Sequence, residues 1–360
     1  MSYFKKIRIT KSYKINIWSA FKPLYYILTL LGLLPYSLKF PKGSGGATII
    51  HKSIYFNSLC SVSMILILYT FFVLHTQQVF ASTESNTMTE VLTTKFNYML
   101  EMLTLLLFAT VSYFCAYKNR FTYVKILNAI VSSSYKFVDH KVFIRRLQVQ
   151  VKIVTLCLFL LLFLQITINF TRFDTVRKMM LVTSSFILPQ MIQFTVIGFY
   201  YVLVLMVVGV LKNINEQMKN LCKYSRVNAE FIKVEKRITL NQIEVVYVNM
   251  LEMKRAINRA FQASILATAF QCFHSIVSES HILYHGLAVD PTLTTHDVCN
   301  CSIWIVYQLI KIYTISCSGN MLKEQEAKIG RSLHNILAGK EDARLYLEVQ
   351  HFSSMILFQN

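Results

Sequence analysis

Six long apolar runs, each broken off by a cluster of polar or basic residues, divide this chain. They lie at Ile54–Leu74, Phe96–Tyr117, Ile153–Phe170, Phe186–Leu211, Phe261–Tyr284 and Cys299–Ser318. A bilayer core takes about twenty residues of helix to cross, and each run has about that length. The last run carries one charge, Lys311, and the second carries one, Glu101. None of the runs alternates apolar and polar residues with period two, so the pattern predicts helices and no membrane β-barrel. A shorter uncharged run, residues 23–38, contains Gly32 and Pro35. It predicts a short re-entrant or interfacial helix rather than a crossing. The Gly-Ser-Gly-Gly that follows, within 40–52, lacks the Gly-Lys-Ser/Thr of a phosphate loop and is read as a linker.

The pattern yields an all-α polytopic membrane bundle. Residues 1–53 form a basic N-terminal part, 54–211 hold spans one to four, 212–260 form a polar helical loop, and 261–320 hold spans five and six. Within 212–260, Ile243, Val246, Tyr247, Met250 and Ile257 recur at steps of three and four, with Glu244, Glu252, Lys254 and Arg255 between them. Leu345, Val349, Phe352 and Ile356 repeat the pattern near the end. Both stripes predict spans that continue beyond the bilayer as helices packed on one another. After Ser318 the composition turns polar at helical spacing, through Lys323, Glu324, Glu326 and Lys328.

Composition changes this picture little. The chain has 360 residues, 54% of them hydrophobic and 15% charged. Soluble domains carry roughly 25% charged residues, which excludes that class. The first twenty residues lack the apolar core and cleavage site of a signal peptide.

Charge settles an expected orientation. The formal net charge of +19 sits in blocks between the apolar runs, which excludes a nucleic-acid-binding domain. With the N-terminus in the cytosol, 31 of the 37 Lys and Arg fall in inside segments and four in outside loops. Positive charge resists translocation, so the N-terminus is expected inside. Two Asn-x-Ser/Thr sequons begin at Asn169 and Asn300, both at expected outer edges and both close to lipid. At least four of the eight cysteines (Cys60, Cys115, Cys157, Cys272) lie within apolar runs, against a disulfide framework. Cys299 and Cys301 could meet an oxidising exterior, but neighbours so close rarely bridge each other.

Several segments carry a resemblance. Phe21-Lys-Pro-Leu, Gly-Leu-Leu-Pro at 32–35, Leu188-Pro189 followed by Gln193-Phe194, the stretch from Cys317 to Ala327, and His351-Phe-Ser-Ser-Met occur in an order that resembles insect gustatory receptors of the seven-helix chemoreceptor superfamily. The stretch from Cys317 resembles the end of span six and the cytosolic half of helix seven, which assigns 321–360 to that half-helix. The resemblance implies a ligand-gated cation channel subunit for small-molecule tastants in the plasma membrane, working as a homo- or hetero-tetramer within membrane lipid. It implies no cofactor. The family continues with a pore-lining seventh helix that this sequence lacks, so a non-conducting truncated receptor is one alternative and an odorant receptor another.

The resemblance also implies a ligand pocket in the outer half of the bundle. Polar and aromatic residues there are the candidates, since a pocket needs aromatic walls and a few polar groups. They are Tyr98 and Glu101 in span two, Gln165 and Asn169 in span three, Gln190 and Gln193 in span four, Glu279, His281 and Tyr284 in span five, and Trp304, Tyr307, Gln308 and Lys311 in span six. Each can also serve only as glue between helices. Glu101 and Lys311 either shape a pocket or neutralise each other across helices. His281 and His285 have zinc-like spacing beside Glu279, but an edge position suits amphipathic rings as well, and no metal is expected. No hydrolase signature is present, so no enzyme is expected. A secondary transporter would show internal repeats, and none is visible. A G-protein-coupled receptor would place its N-terminus outside.

Overall fold

The computed structural model describes residues 17–34, 37–39, 50–52, 55–81, 92–134, 140–170, 175–226, 240–289, 293–337, 347 and 349–354. Among them lie helices α1 (Ile17–Leu30), α2 (Tyr55–Ala81), α3 (Leu92–Lys118), α4 (Arg120–Ser134), α5 (His140–Phe170), α6 (Val176–Val182), α7 (Leu188–Arg226), α8 (Leu240–Tyr284) and α9 (Thr295–Leu337). Among the described residues six segments are long and apolar enough to cross a membrane: Asn57–Phe80, Lys95–Lys118, Arg145–Ile168, Val176–Asn220, Leu240–Ala288 and Thr295–Asn335. Each overlaps one of the six runs seen in the sequence, and four of them contain theirs whole.

The bundle exposes apolar side chains and buries polar ones. Leu59, Leu66 and Val73 on α2, Phe159 and Phe163 on α5, and Phe270 and Phe273 on α8 are exposed, while Gln190, Gln193, Gln271, Gln308 and Lys311 are wholly buried. Such a surface suits hydrocarbon as its solvent. Helix α7 buries 83% of its apolar window against 11% for α2, so α7 is the central post and α2 faces outward.

The helices overrun the spans at one end. Forty-five residues in α8 and 43 in α9 reach roughly 65 Å, twice a hydrocarbon core of about 30 Å. Helix α9 does not break at Cys317–Asn320, where the composition changes; a single helix carries both halves. The stripe Ile243, Val246, Tyr247, Met250 and Ile257 is buried throughout. Val349 and Phe352 are buried too, with the Phe352 ring 5.4 Å from that of Tyr247. Leu345 and Ile356 lie outside the described residues. Lys254 donates to both carboxylate oxygens of Glu326, at 2.7 and 2.9 Å, and Ser332 donates to Asn215 at 2.6 Å. His351 meets Glu244 at 3.2 Å. These contacts join α7, α8, α9 and the stretch 349–354 at the overrunning end.

Four local features go beyond the apolar pattern of the sequence. Helix α1 begins at Ile17, ahead of the uncharged run, and stops at Leu30, and its Phe21, Leu24 and Leu28 are buried in the main core. Part of the expected linker is a strand: β2 (Ile50–Lys52) pairs antiparallel with β1 (Ser37–Lys39), Leu38 opposite His51. Residues 40–49 lie outside the described residues. The stretch between the second and third apolar runs is largely helical. Helix α3 bends at Asn119 into α4, keeping its ladder through Asn119 N–H to Cys115 O (2.9 Å), and the Asn119 amide donates to Ala260 O on α8 (3.1 Å). His75, just past the first apolar run, sits inside α2. Helix α6 enters α7 through a π-helical turn, Thr183–Ile187. Pro189 has no N–H to offer Ser185, which loosens the α ladder at that point.

Two packing features hold the bundle. Rings of Phe21, Tyr123, Phe199, Tyr200 and Phe261 pack with centroids 5.3–5.9 Å apart, joining α1, α4, α7 and α8. Burial raises the pKa of the Tyr123 hydroxyl. The second feature ends α1. Gly32 has φ +68°, and the bonds Leu33 N–H to Leu28 O (2.8 Å) and Gly32 N–H to Thr29 O (3.0 Å) form a Schellman cap. A Cβ on Gly32 would stand 2.7 Å from the Ser61 Cα on α2. Gly32→Ala therefore meets both an unfavourable φ, worth about 1–2 kcal/mol, and a backbone that must retreat. A lower thermal midpoint of the detergent-solubilised chain is expected; an unchanged midpoint would show that α2 moves freely at this contact.

Candidate functional site

The polar groups of the bundle converge on α9. Helix α8 supplies an inward polar stripe, Ser264, Thr268, Gln271, Cys272, Ser275, Ser278 and Glu279, all buried. Helix α7 begins after the π turn and presents Gln190 and Gln193. Helix α9 presents Trp304, Tyr307, Gln308 and Lys311 at steps of three and four, on one face.

Lys311 is the centre. Its Nζ donates to the side-chain carbonyl oxygens of Gln190, Gln193 and, at 2.8 Å, Gln308. The Phe194 ring lies 4.9 Å from Nζ, within cation–π range. From Gln308 the network continues outward. Its Nε2 donates to Ser275 Oγ at 3.2 Å, and Ser275 donates to Glu101 Oε1 at 2.7 Å. The Cys272 thiol contacts Gln308 Oε1 at 3.4 Å. Glu101 and Lys311 are thus joined through Ser275 and Gln308. Among the described residues no ion pair joins them directly.

An aromatic wall stands beside this polar chain. His75, Tyr98, Phe186 and Trp304 pack edge to face or tilted, with centroids 4.9–6.4 Å apart, over Met102, Leu105 and Val182. Tyr98 Oη and His75 Nε2 are 3.0 Å apart. Trp304 continues to Tyr307 and Tyr307 to Phe194, so the rings reach the Lys311 side. Tyr307 also donates to Leu161 O on α5, at 3.1 Å. A charged and amide-rich centre against an aromatic wall can orient a small organic molecule.

Residues 21–360 match the family model described as the 7tm chemosensory receptor. The chain belongs to this insect chemosensory receptor family. None of the curated proteins is significantly similar to it in sequence. Among solved structures, the receptor is similar to the insect olfactory receptor OR5 from Machilis hrabei, with 14% identity and a TM-score of 0.67. The match covers 93% of this chain and 88% of that one. The same olfactory receptor in complex with eugenol matches with 15% identity and a TM-score of 0.66, over 94% of this chain and 88% of that one. These structures share the fold of the receptor, an all-helical membrane bundle. The receptor is not an enzyme.

The receptor brings together eight of the residues singled out in its sequence. Glu101, Gln190, Gln193, Gln308 and Lys311 share the network, and Tyr98, Trp304 and Tyr307 form the wall. Gln165 is buried on α5, one turn from Leu161. Glu279 is buried on α8, one turn past Ser275. His281 stacks on His285, centroids 6.1 Å apart, and Tyr284 is exposed. The side chain of Asn169 lies outside the described residues. Cys299 is exposed and Cys301 buried, and neither forms a disulfide. Among the described residues no three His, Cys, Asp or Glu gather as a metal site. Ser275, Gln271, His75, Phe186 and Phe194 belong to the site or its edge and were missed. The period of Ser264, Thr268, Gln271 and Ser275 within an apolar span is the signal that could have found the first two.

Proposed function

We propose that this receptor is a gustatory one, a ligand-gated cation channel subunit that detects small-molecule tastants. The observation that carries the reading is the buried chain from Glu101 to Lys311 beside the aromatic wall, at the end of the bundle away from the overrunning helices. The taste assignment rests on the opening motif at 32–35 and the motif order. The Lys and Arg distribution supports a cytosolic N-terminus in the plasma membrane, with the overrunning helices in the cytosol. There they offer a platform for assembly as a homo- or hetero-tetramer. The eugenol complex of the olfactory relative supports small organic molecules as the ligand class, and the same likeness favours an odorant receptor as the second reading.

Heterologous cells expressing the full chain, alone and with co-expressed gustatory receptors, test this by calcium influx. Responses to soluble sweet or bitter compounds are expected, and responses confined to volatiles would assign it to odorants. Engineered sequons in 82–91 are expected to receive glycan. Their modification only when moved to 227–239 would invert the orientation.

A further inference from the structure

The three glutamine carbonyls around Lys311 have a consequence for what the site can hold. An ammonium group only donates, so the amide oxygens must face it, which fixes the orientation of each amide. The Nε2 atoms of Gln190 and Gln193 then point away from Lys311. Both residues are fully buried and neither Nε2 makes a hydrogen bond to the protein. Four N–H donors therefore stand next to a cation and want an acceptor with several lone pairs. A carboxylate meets that need best.

Charge narrows the class further. Glu101 and Lys311 together bring no net charge into the bundle. A ligand that was only an anion would leave an excess charge in a low-dielectric core, which is costly. A ligand carrying both signs leaves the balance intact. Its ammonium group would meet the Glu101 carboxylate, with the aromatic rings of Tyr98 and Trp304 in the adjoining wall, both attractive to cations. Its apolar part has the wall of Phe186 and Met102.

We propose that the glutamine cage around Lys311 binds the carboxylate of a small zwitterion, a free α-amino acid with an apolar side chain, while Glu101 takes its ammonium group. This rests on the reading of the bundle as a small-molecule receptor and names the ligand class of that site.

Binding of L-phenylalanine to the full chain in lipid nanodiscs tests it, against 3-phenylpropanoate, phenethylamine and 2-phenylethanol. These keep the ring and remove one or both charges. L-phenylalanine is expected to bind at least about tenfold more tightly than any of the three, because a site built for a polar group rejects the analogue without it. Lys311→Gln is expected to abolish that advantage and leave 2-phenylethanol unaffected. The wild-type series stands even if the variant folds poorly. Tighter binding of 2-phenylethanol or 3-phenylpropanoate than of L-phenylalanine would overturn the proposal and leave the receptor reading in place. Absence of binding by all four overturns it too, and the receptor reading falls with it only if the cells also ignore every tastant and volatile.

Discussion

Glu101→Ala should destabilise the bundle by about 3–5 kcal/mol, because it strands a buried cation. Glu101 accepts from Ser275, which accepts from Gln308, which accepts from Lys311. Removing the carboxylate leaves the Ser275 hydroxyl without its acceptor and Lys311 as the only charge of the network. Lys311→Met removes the other end, leaving the Gln190 and Gln193 oxygens without their donor and the Gln308 oxygen with only the Cys272 thiol. The pair is informative as a cycle. If the two charges balance each other through the chain, Glu101→Ala with Lys311→Met should cost less than the two single changes added, by at least about 1 kcal/mol. Thermal midpoints of the four purified chains in one detergent measure this. Additive costs would mean that the two charges act independently and that each is held by its neighbours alone.

Phe261→Ala is expected to cost about 3–5 kcal/mol, the range for removing a fully buried aromatic ring. Its ring is 1% exposed and touches those of Tyr123, Phe199 and Tyr200, which belong to α4 and α7. In a membrane the apolar transfer term is small for lipid-facing groups, and packing carries the association of helices. The loss here is therefore of ring contacts that no lipid chain can reach. Phe261→Leu keeps most of the volume and should cost less than half as much. Equal costs for the two would mean that the ring edges contribute nothing beyond bulk. Phe270→Ala, about two and a half turns along the same helix and exposed, serves as the control and should leave the midpoint nearly unchanged.

Much of the fold could be read because lipid imposes simple rules. A run such as 153–170 has few alternatives in a chain this apolar, and the stripe from Ile243 to Ile257 could only mean a helix with a buried face. Lys311 and Glu101 stood out because charge inside a span is rare. What could not be read was adjacency. Ser275 and Glu101 are hydrogen-bonded across 174 residues of sequence, and nothing local in either segment points to the other. His75 lies just past the first apolar run and polar residues follow it, yet α2 runs on to Ala81 and Tyr98 gives its ring a partner. The strand pair closing 37–52 was hidden by its glycines. The π turn before Leu188 left only Pro189 as a trace.

The unbroken course of α9 has a mechanical meaning. Lys311 in the cage and Glu326 at the Lys254 contact sit on one helix, 15 positions and roughly 22 Å apart. No hinge loop lies between them to absorb strain. A nudge at Trp304 or Lys311 is delivered to the far end as a tilt of a stiff rod, and the clasp between Lys254 and Glu326 is where such leverage would first be felt.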